Sequence, residues 1–329
     1  MSGIVWGAAL LAGATSLAAP LVLRPQLARL GIFDLPNHRS SHSLPTLRGG
    51  GLAPLLGMVA GAVWGFVLLN GTVATALGGV AIAGLLVGLV GFIEDIHGIR
   101  ILLRAALQFA IGGGFAAFVS LDPSMSWIWV PAAALFFAAE VNFTNFMDGI
   151  NGMSCLHGVV VGLVFAVIGA SENLRWLTVI GILLTFAFAA FLPWNLVPPG
   201  LFLGDVGSYL LGGTIGATVI ATLAAGVNPI TVLAPLAVYW ADTLTTLIRR
   251  MRRREPIFQS HRTHVYQQLT DAGISHMGVA SVVAGFTLAT SVLGLLVLKS
   301  VISWLIGTLS ILLVVATYLF LSRAVRRRV

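Results

Sequence analysis

The sequence predicts an all-α membrane protein, a multi-pass helical bundle of about eleven transmembrane helices with its N-terminus outside and its C-terminus cytoplasmic. Three observations carry that expectation. Of 329 residues, 58% are hydrophobic and only 9% charged, with mean hydropathy +0.99, where a soluble domain holds about 25% charged residues. The apolar residues gather in long runs, and at about 20 residues per crossing eleven runs use roughly 220 positions. The basic residues divide unequally between the two faces that alternating spans create. Soluble enzymes, disordered chains and disulfide scaffolds are excluded. The single cysteine, Cys155, rules out an intramolecular disulfide.

The runs fall near 4–23, 50–69, 73–93, 101–120, 126–141, 153–170, 176–193, 209–225, 229–248, 279–297 and 301–322. The first has no basic residue before it and Arg24 and Arg29 after it, so it reads as a span entering from outside rather than a signal peptide. Gly49, Gly50 and Gly51 announce the second, and the polar GFIEDIHGIR stretch separates the third from the fourth. The fifth ends in an asparagine-rich motif, the sixth starts after Gly152, and the seventh stops at Pro193. The ninth runs into a cluster of arginines, the tenth follows a polar loop, and the last ends in Arg326, Arg327 and Arg328. Alternation from an outside N-terminus puts sixteen of the 18 Lys and Arg residues inside, leaving only Arg175 and Lys299 outside. That topology accounts for the net charge of +7 without nucleic acid as a partner. Glycines within spans, such as Gly61-x-x-x-Gly65, indicate close helix packing. No repeat or linker divides the chain, so residues 1–329 read as one integral-membrane domain with inner loops near 24–49, 94–100, 142–152, 194–208 and 249–278.

Acids and histidines gather on the inner side too, which the positive-inside rule does not require. Only Asp122 and Glu172 among the acids lie outside. Five inner segments hold this chemistry. DLPNHRSSHSLPTLRGGG at 34–51 supplies His38, Arg39, His42 and Arg48, with glycines that let backbone N–H groups approach an anion; a basic anchoring loop is the alternative. Glu94 and Asp95 at the end of the third run are hard oxygen ligands for Mg²⁺, or partners of a cation such as Arg100 or Arg104. Asn142, Asn145, Asp148 and Asn151 recur every third residue, so they share one side of a helix; capping and interhelical hydrogen bonding is the competing explanation.

The fourth segment, 191–213, is broken by proline and glycine, reads as re-entrant-like, and carries one acid, Asp205, between Gly204 and Gly207; a tight turn with an Asp cap is the alternative. In the fifth, Arg249 to Arg254 resemble a topological anchor, whereas His261, Arg262 and His264 suit a diphosphate, since Arg binds phosphate in a bidentate manner. Cys155 and His157 read as packing residues, and Asp242 as the partner of an inner cation.

Acids, amides and cations together fit a metal-bound diphosphate, because phosphoryl transfer needs mainly positioning and charge neutralisation. A nucleotide diphospho-sugar near −2 and a lipid monophosphate of about −1.5 to −2 leave roughly two positive groups to be found beyond one Mg²⁺. Arg262 with His261 or His264 supplies them. A lipid phosphate is already mostly dianionic at pH 7 and needs alignment more than a general base.

The ordered set DLPNHRSSH-x-LPTLRGGG, GFIEDIHGIR, NFTNFMDGING, LFLGDVGS and HRTHVYQQL resembles the polyprenyl-phosphate N-acetylhexosamine-1-phosphate transferase superfamily, over about residues 34–278. The likeness is strongest to the bacterial branch that starts O-antigen and related surface polysaccharides, with the peptidoglycan-precursor transferases as more distant relatives. The resemblance implies transfer of sugar 1-phosphate from a UDP-N-acetylhexosamine to undecaprenyl phosphate with release of UMP. It also implies Mg²⁺, with Mn²⁺ as an alternative, and a site on the cytoplasmic face of the bacterial inner membrane. By the same likeness Glu94, Asp95 and Asp205 are catalytic, with Asp205 and Asn145 on the metal. Asp148 and Asn151 then serve the nucleotide, His261, Arg262 and His264 the diphosphate, and Arg48 and His42 complete substrate binding.

Two positions depart from the family pattern: Glu94 stands where the acid pair usually opens with Asp, and Asn151 where the motif often has Asp. Competing readings are a peptidoglycan-precursor transferase and a multi-pass transporter or flippase. A transporter normally places its ionisable groups near the midplane in broken helices. Oligomeric state is not legible, a homodimer being one compatible form.

Overall fold

The computed structural model describes residues 2–34, 45–197, 200–256 and 262–326. Its architecture is helical, and the expected spans all appear. They are α1 (Ser2–Arg29), α2 (Leu52–Leu68), α3 (Thr72–His97), α4 (Ile101–Val119), α5 (Val130–Met147), α6 (Met153–Ser171), α7 (Arg175–Leu196) and α8 (Gly204–Ala224). A short α9 (Pro229–Leu233) continues through a 3₁₀ turn at Pro235 into α10 (Ala237–Arg252). Then come a short α11 (Val265–Asp271), α12 (His276–Leu298) and α13 (Trp304–Arg326). Ten helical segments, with α9 to α10 taken as one, are long and apolar enough to cross a membrane, and the 17-residue α2 is a shorter apolar helix beside them.

The only strands among the described residues are β1 (Phe33–Asp34) and β2 (Thr46–Leu47), an antiparallel ribbon pairing Phe33 with Leu47 and Asp34 with Thr46. It flanks the 35–44 segment, which contains His38, Arg39 and His42 and lies outside the described residues.

The core centres on α8, whose apolar stretch is 89% buried against 17% for α13. A helix enclosed on all sides must bury its polar groups satisfied. Thr218 and Thr222 do so by donating to the carbonyls of Thr214 and Thr218, at 2.7 and 2.6 Å. Leu27, Phe188, Phe191, Leu203 and Tyr209 belong to one buried cluster that reaches the inner helix ends. Packing explains the glycines. A Cβ on Gly61 would lie 2.3 Å from Leu183, and one on Gly91 would lie 2.2 Å from the Asp205 carbonyl oxygen. The second contact seats α3 against the first turn of α8 with no side chain between them.

Two boundaries beside the site differ from the sequence reading. Pro193 lies inside α7 rather than breaking it, because the helix continues to Leu196 and its end caps on Pro193. The 191–213 stretch is therefore no re-entrant element but a tight connector between two spans. The helix expected from 209 begins at Gly204, which puts Asp205 in its first turn.

The glycine triplet also has another use. Gly50 and Gly51 donate their N–H groups to the Phe202 and Leu203 carbonyls at 2.8 and 2.7 Å, and so are not available to cradle an anion. A Cβ on Gly51 would sit 2.3 Å from the Gly207 Cα, so this pair permits α2 and α8 to start in contact.

Candidate active site

The start of α8 is the organising feature. Gly91 brings α3 against it, and Asp95, one turn further along the same face, reaches across to cap its free amides. The Asp95 carboxylate accepts from the Asp205 N–H at 2.9 Å and the Val206 N–H at 3.0 Å. Arg48, just after β2, fits its planar fork between two acids: Nε lies 2.7 Å from Asp95 Oδ1 and Nη2 lies 2.9 Å from Asp205 Oδ2. Burial works against the charge on Arg48, but the Asp205 and Asp95 carboxylates outweigh it and hold the guanidinium above its usual range. From α5, Asn145 Nδ2 donates to Asp205 Oδ1 at 2.7 Å and to Ser208 Oγ at 2.9 Å. Four separate segments thus converge on the first turn of α8.

Glu94 faces differently from Asp95. It takes Arg104 at 2.7 Å and the backbone N–H of Ile99, tying down the turn between α3 and α4. The sequence alternative of an ion pair with Arg104 therefore describes its contacts.

The asparagine motif ends α5 as its three-residue spacing predicts, with Asp148 as the C-cap and Gly152 left-handed at φ +85° for the exit. Asn142 donates to Gln108 and to the Ala138 carbonyl. Asp148 accepts from Ser154 Oγ at 2.6 Å. Burial pushes its carboxyl up to about 8, against the Ser154 hydrogen bond. Asn195 braces the next turn, accepting from Gly152 N–H at 2.6 Å and donating to the Leu201 carbonyl at 3.1 Å. Asn151 is half-buried with its amide beside Gly200.

The His/Arg segment docks on this motif. Tyr266 in α11 donates its hydroxyl to the Phe146 carbonyl at 3.1 Å and lies against Gly149. His264, 3% exposed, places Nδ1 3.2 Å from Asp242 Oδ1. Asp242 also accepts the Val265 N–H, at 3.1 Å to each oxygen, and the Tyr318 hydroxyl of α13 at 2.7 Å. The partner of Asp242, expected to be an inner cation, is thus an imidazole of the very motif it supports, and no arginine. Arg262 Nη2 lies 2.7 Å from Asp271 at the far end of α11. His261 and His42 lie outside the described residues.

Several supporting residues carry no local signal. Ser208, Ser154, Asn195 and Tyr266 acquire their roles from partners distant in the chain. Glu140, two turns before the end of α5 and 1% exposed, accepts from Thr144 at 3.0 Å and from Trp240. Its lone acidic character within an apolar run was the one available clue. Cys155 and His157 are packing residues as expected: both are 1% exposed, and the imidazole stacks on Tyr239 at 3.6 Å.

Among the described residues no three His, Cys, Asp or Glu side chains form a ready ligand cage. Mg²⁺ does not require one, since it binds through one or two carboxylates and takes its other oxygens from water and substrate phosphates. An ionised carboxylate has about four acceptor directions. Asp205 uses two side-chain acceptor positions, for Arg48 and Asn145, whereas Asp95 uses three. The Asn145 amide oxygen has no protein donor among the described residues, and the Tyr209 hydroxyl, one turn from Asp205, is buried without a partner. Hard oxygen donors with open directions fit such an ion.

Residues 77–223 match the model of glycosyl transferase family 4. The chain is 26% identical over 315 residues to a probable undecaprenyl-phosphate N-acetylglucosaminyl 1-phosphate transferase of Bacillus subtilis (strain 168), covering 88% of this chain and 85% of that protein. It is 27% identical over 311 residues to a decaprenyl-phosphate N-acetylglucosaminephosphotransferase of Mycobacterium tuberculosis (strain ATCC 25618 / H37Rv), covering 79% and 74%. It is also 27% identical over 277 residues to an undecaprenyl-phosphate alpha-N-acetylglucosaminyl 1-phosphate transferase of Escherichia coli (strain K12), covering 75% and 71%.

Proposed function

We propose, from the match of residues 77–223 to the model of glycosyl transferase family 4 and from the similarity to the relatives above, that this chain transfers an N-acetylhexosamine 1-phosphate from a UDP-sugar to undecaprenyl phosphate and releases UMP. N-acetylglucosamine is the first sugar to test, since the relatives are named for it. The observation that carries the reading is Asp205 held at the start of α8 by Arg48 and Asn145, with Asp95 capping the same turn. These groups sit where membrane helices end, so a lipid-borne and a water-borne reactant can meet there.

In the reaction an oxygen of the lipid phosphate attacks the β-phosphorus of the nucleotide sugar. The bond from that phosphorus to the bridging oxygen breaks, and UMP leaves with that oxygen. The attacking phosphate is mostly dianionic at neutral pH, so no base is needed to create the nucleophile. Mg²⁺, or Mn²⁺ in its place, neutralises diphosphate charge when bound, and Asp205 with Asn145 would hold it. Arg48 presents a guanidinium next to that position. Asp95 fixes the α8 turn and borders the lipid phosphate, with Glu94 behind it. Asp148, its carboxyl pushed up to about 8 by burial, can donate as well as accept a hydrogen bond when protonated and with Asn151 reads the nucleotide. Arg262, His264, His261 and His42 clamp the phosphates. The site faces the cytoplasm of a bacterial inner membrane, and the product starts a surface polysaccharide of the O-antigen kind.

The test is incubation of purified protein with undecaprenyl phosphate, Mg²⁺ and radiolabelled UDP-N-acetylhexosamines. The expected result is a labelled lipid diphosphate-sugar with stoichiometric UMP. UDP rather than UMP as product would overturn the reading.

A further inference from the structure

Away from the transferase site, on the same end of the bundle, α10 and α13 enclose a cavity of about 380 Å³ lined by Thr245, Ile248, Arg249, Arg252, Arg253 and Arg323. Four of its six wall residues are arginines. The arginines around the candidate site have carboxylate partners: Arg48 with Asp95 and Asp205, Arg104 with Glu94, Arg262 with Asp271. Of the four in the cavity only Arg253 has one, at the limit of ion-pair distance. Glu255 lies at its rim, held 3.2 Å from Arg250 and 3.9 Å from Arg253. Arg249, Arg252 and Arg323 have no carboxylate within ion-pair reach among the described residues, and Arg323 instead lies over the Phe320 ring at 4.9 Å. Like charges brought together by two packed helices repel unless an anion joins them.

The surface beside the cavity tells which anion. Leu244, Ile248 and Met251 are 40%, 42% and 52% exposed and follow one another at helical spacing, so they form an apolar stripe alongside the arginines. The apolar wall lies toward the membrane interior and the cations at the helix ends, where phosphate groups of a leaflet sit. Basic pockets between transmembrane helices at this level recognise anionic head groups. A soluble phosphate would leave the stripe unused.

We propose that the α10–α13 cavity binds an anionic phospholipid of the surrounding leaflet, its phosphate between Arg249, Arg252 and Arg323 and its acyl chains along Leu244 and Ile248. None of its lining residues belongs to the candidate active site, so this holds whether or not the transferase reading does. The test is native mass spectrometry of the full chain titrated with phosphatidylglycerol or with phosphatidylcholine of the same acyl chains. Wild-type protein retains phosphatidylglycerol selectively. The Arg249→Gln, Arg252→Gln, Arg323→Gln triple variant loses affinity by on the order of 100-fold, and Arg323→Gln alone by about fivefold. A control triple at other inner-end arginines, Arg29→Gln, Arg100→Gln and Arg254→Gln, keeps it. Equal losses in the two triples, retention of phosphatidylcholine, or displacement by inorganic phosphate or undecaprenyl phosphate at equal concentration would overturn the proposal. If the triple variant does not fold, Arg323→Gln decides alone.

Discussion

An aspartate with acceptor directions still open behaves differently from one whose oxygens are filled, and Asp205 and Asp95 divide along that line. Asp205→Asn removes the charge that Arg48 and a cation need while keeping the shape of the α8 turn. We expect kcat to fall by about 100- to 1,000-fold with the melting temperature nearly unchanged; near-normal turnover in folded protein would sink the metal assignment. Asp242 poses a separate question, because it touches His264 and not the acids. Asp242→Asn leaves the Val265 amide an acceptor but withdraws the charge that fixes the imidazole. The expected outcome is a changed His264 tautomer in ¹⁵N-histidine NMR spectra and a loss of stability of about 1–3 kcal/mol. An unaltered ring spectrum would show that Asp242 only braces α11. Neither partnership is written locally: Asp242 and His264 are 22 residues apart, and Asp242 and Tyr318 are 76 apart.

Elements were far more legible than their joints. Hydropathy located the spans because a membrane helix has to be apolar along its own length, a property of neighbouring residues. The start of α8 escaped that reading: Gly204 to Ser208 are too polar or small to count as span, yet they are helical because Asp95 caps their amides from α3. The glycine triplet was misjudged for a similar reason, since only the approach of α2 to α8 shows which carbonyls its N–H groups meet. Gly91→Ala tests this joint. A methyl group 2.2 Å from the Asp205 carbonyl must force α3 and α8 apart. It should cost about 1–3 kcal/mol and lower kcat more than it raises KM, as read by thermal melts beside steady-state kinetics. Gly114→Ala, whose Cβ would meet nothing within 4 Å, is the control and should be neutral.

At the scale of the molecule, the division of charge predicts which end faces the cytoplasm. In a Cys155→Ala background, Ser124→Cys between α4 and α5 should react with a membrane-impermeant maleimide on intact cells. Ala272→Cys, between α11 and α12, should react only after lysis. The reverse pattern would invert the topology and move the proposed site to the outer face. The convergence of five motifs at one end was readable from their order and side. How they interlock was not, since the same side chains would serve equally well in several arrangements until the glycine contacts choose one.

The bond from Asp95 to the head of α8 has a mechanical corollary. With an anion embedded between two spanning helices and gripped by both, the pair cannot slide past one another by even part of a turn without stranding that charge in a dry seam. The reaction centre therefore inherits the stiffness of the bundle's interior. On the proposed reading, adaptation to another sugar or another lipid falls to the peripheral arms, because this joint has no slack to give.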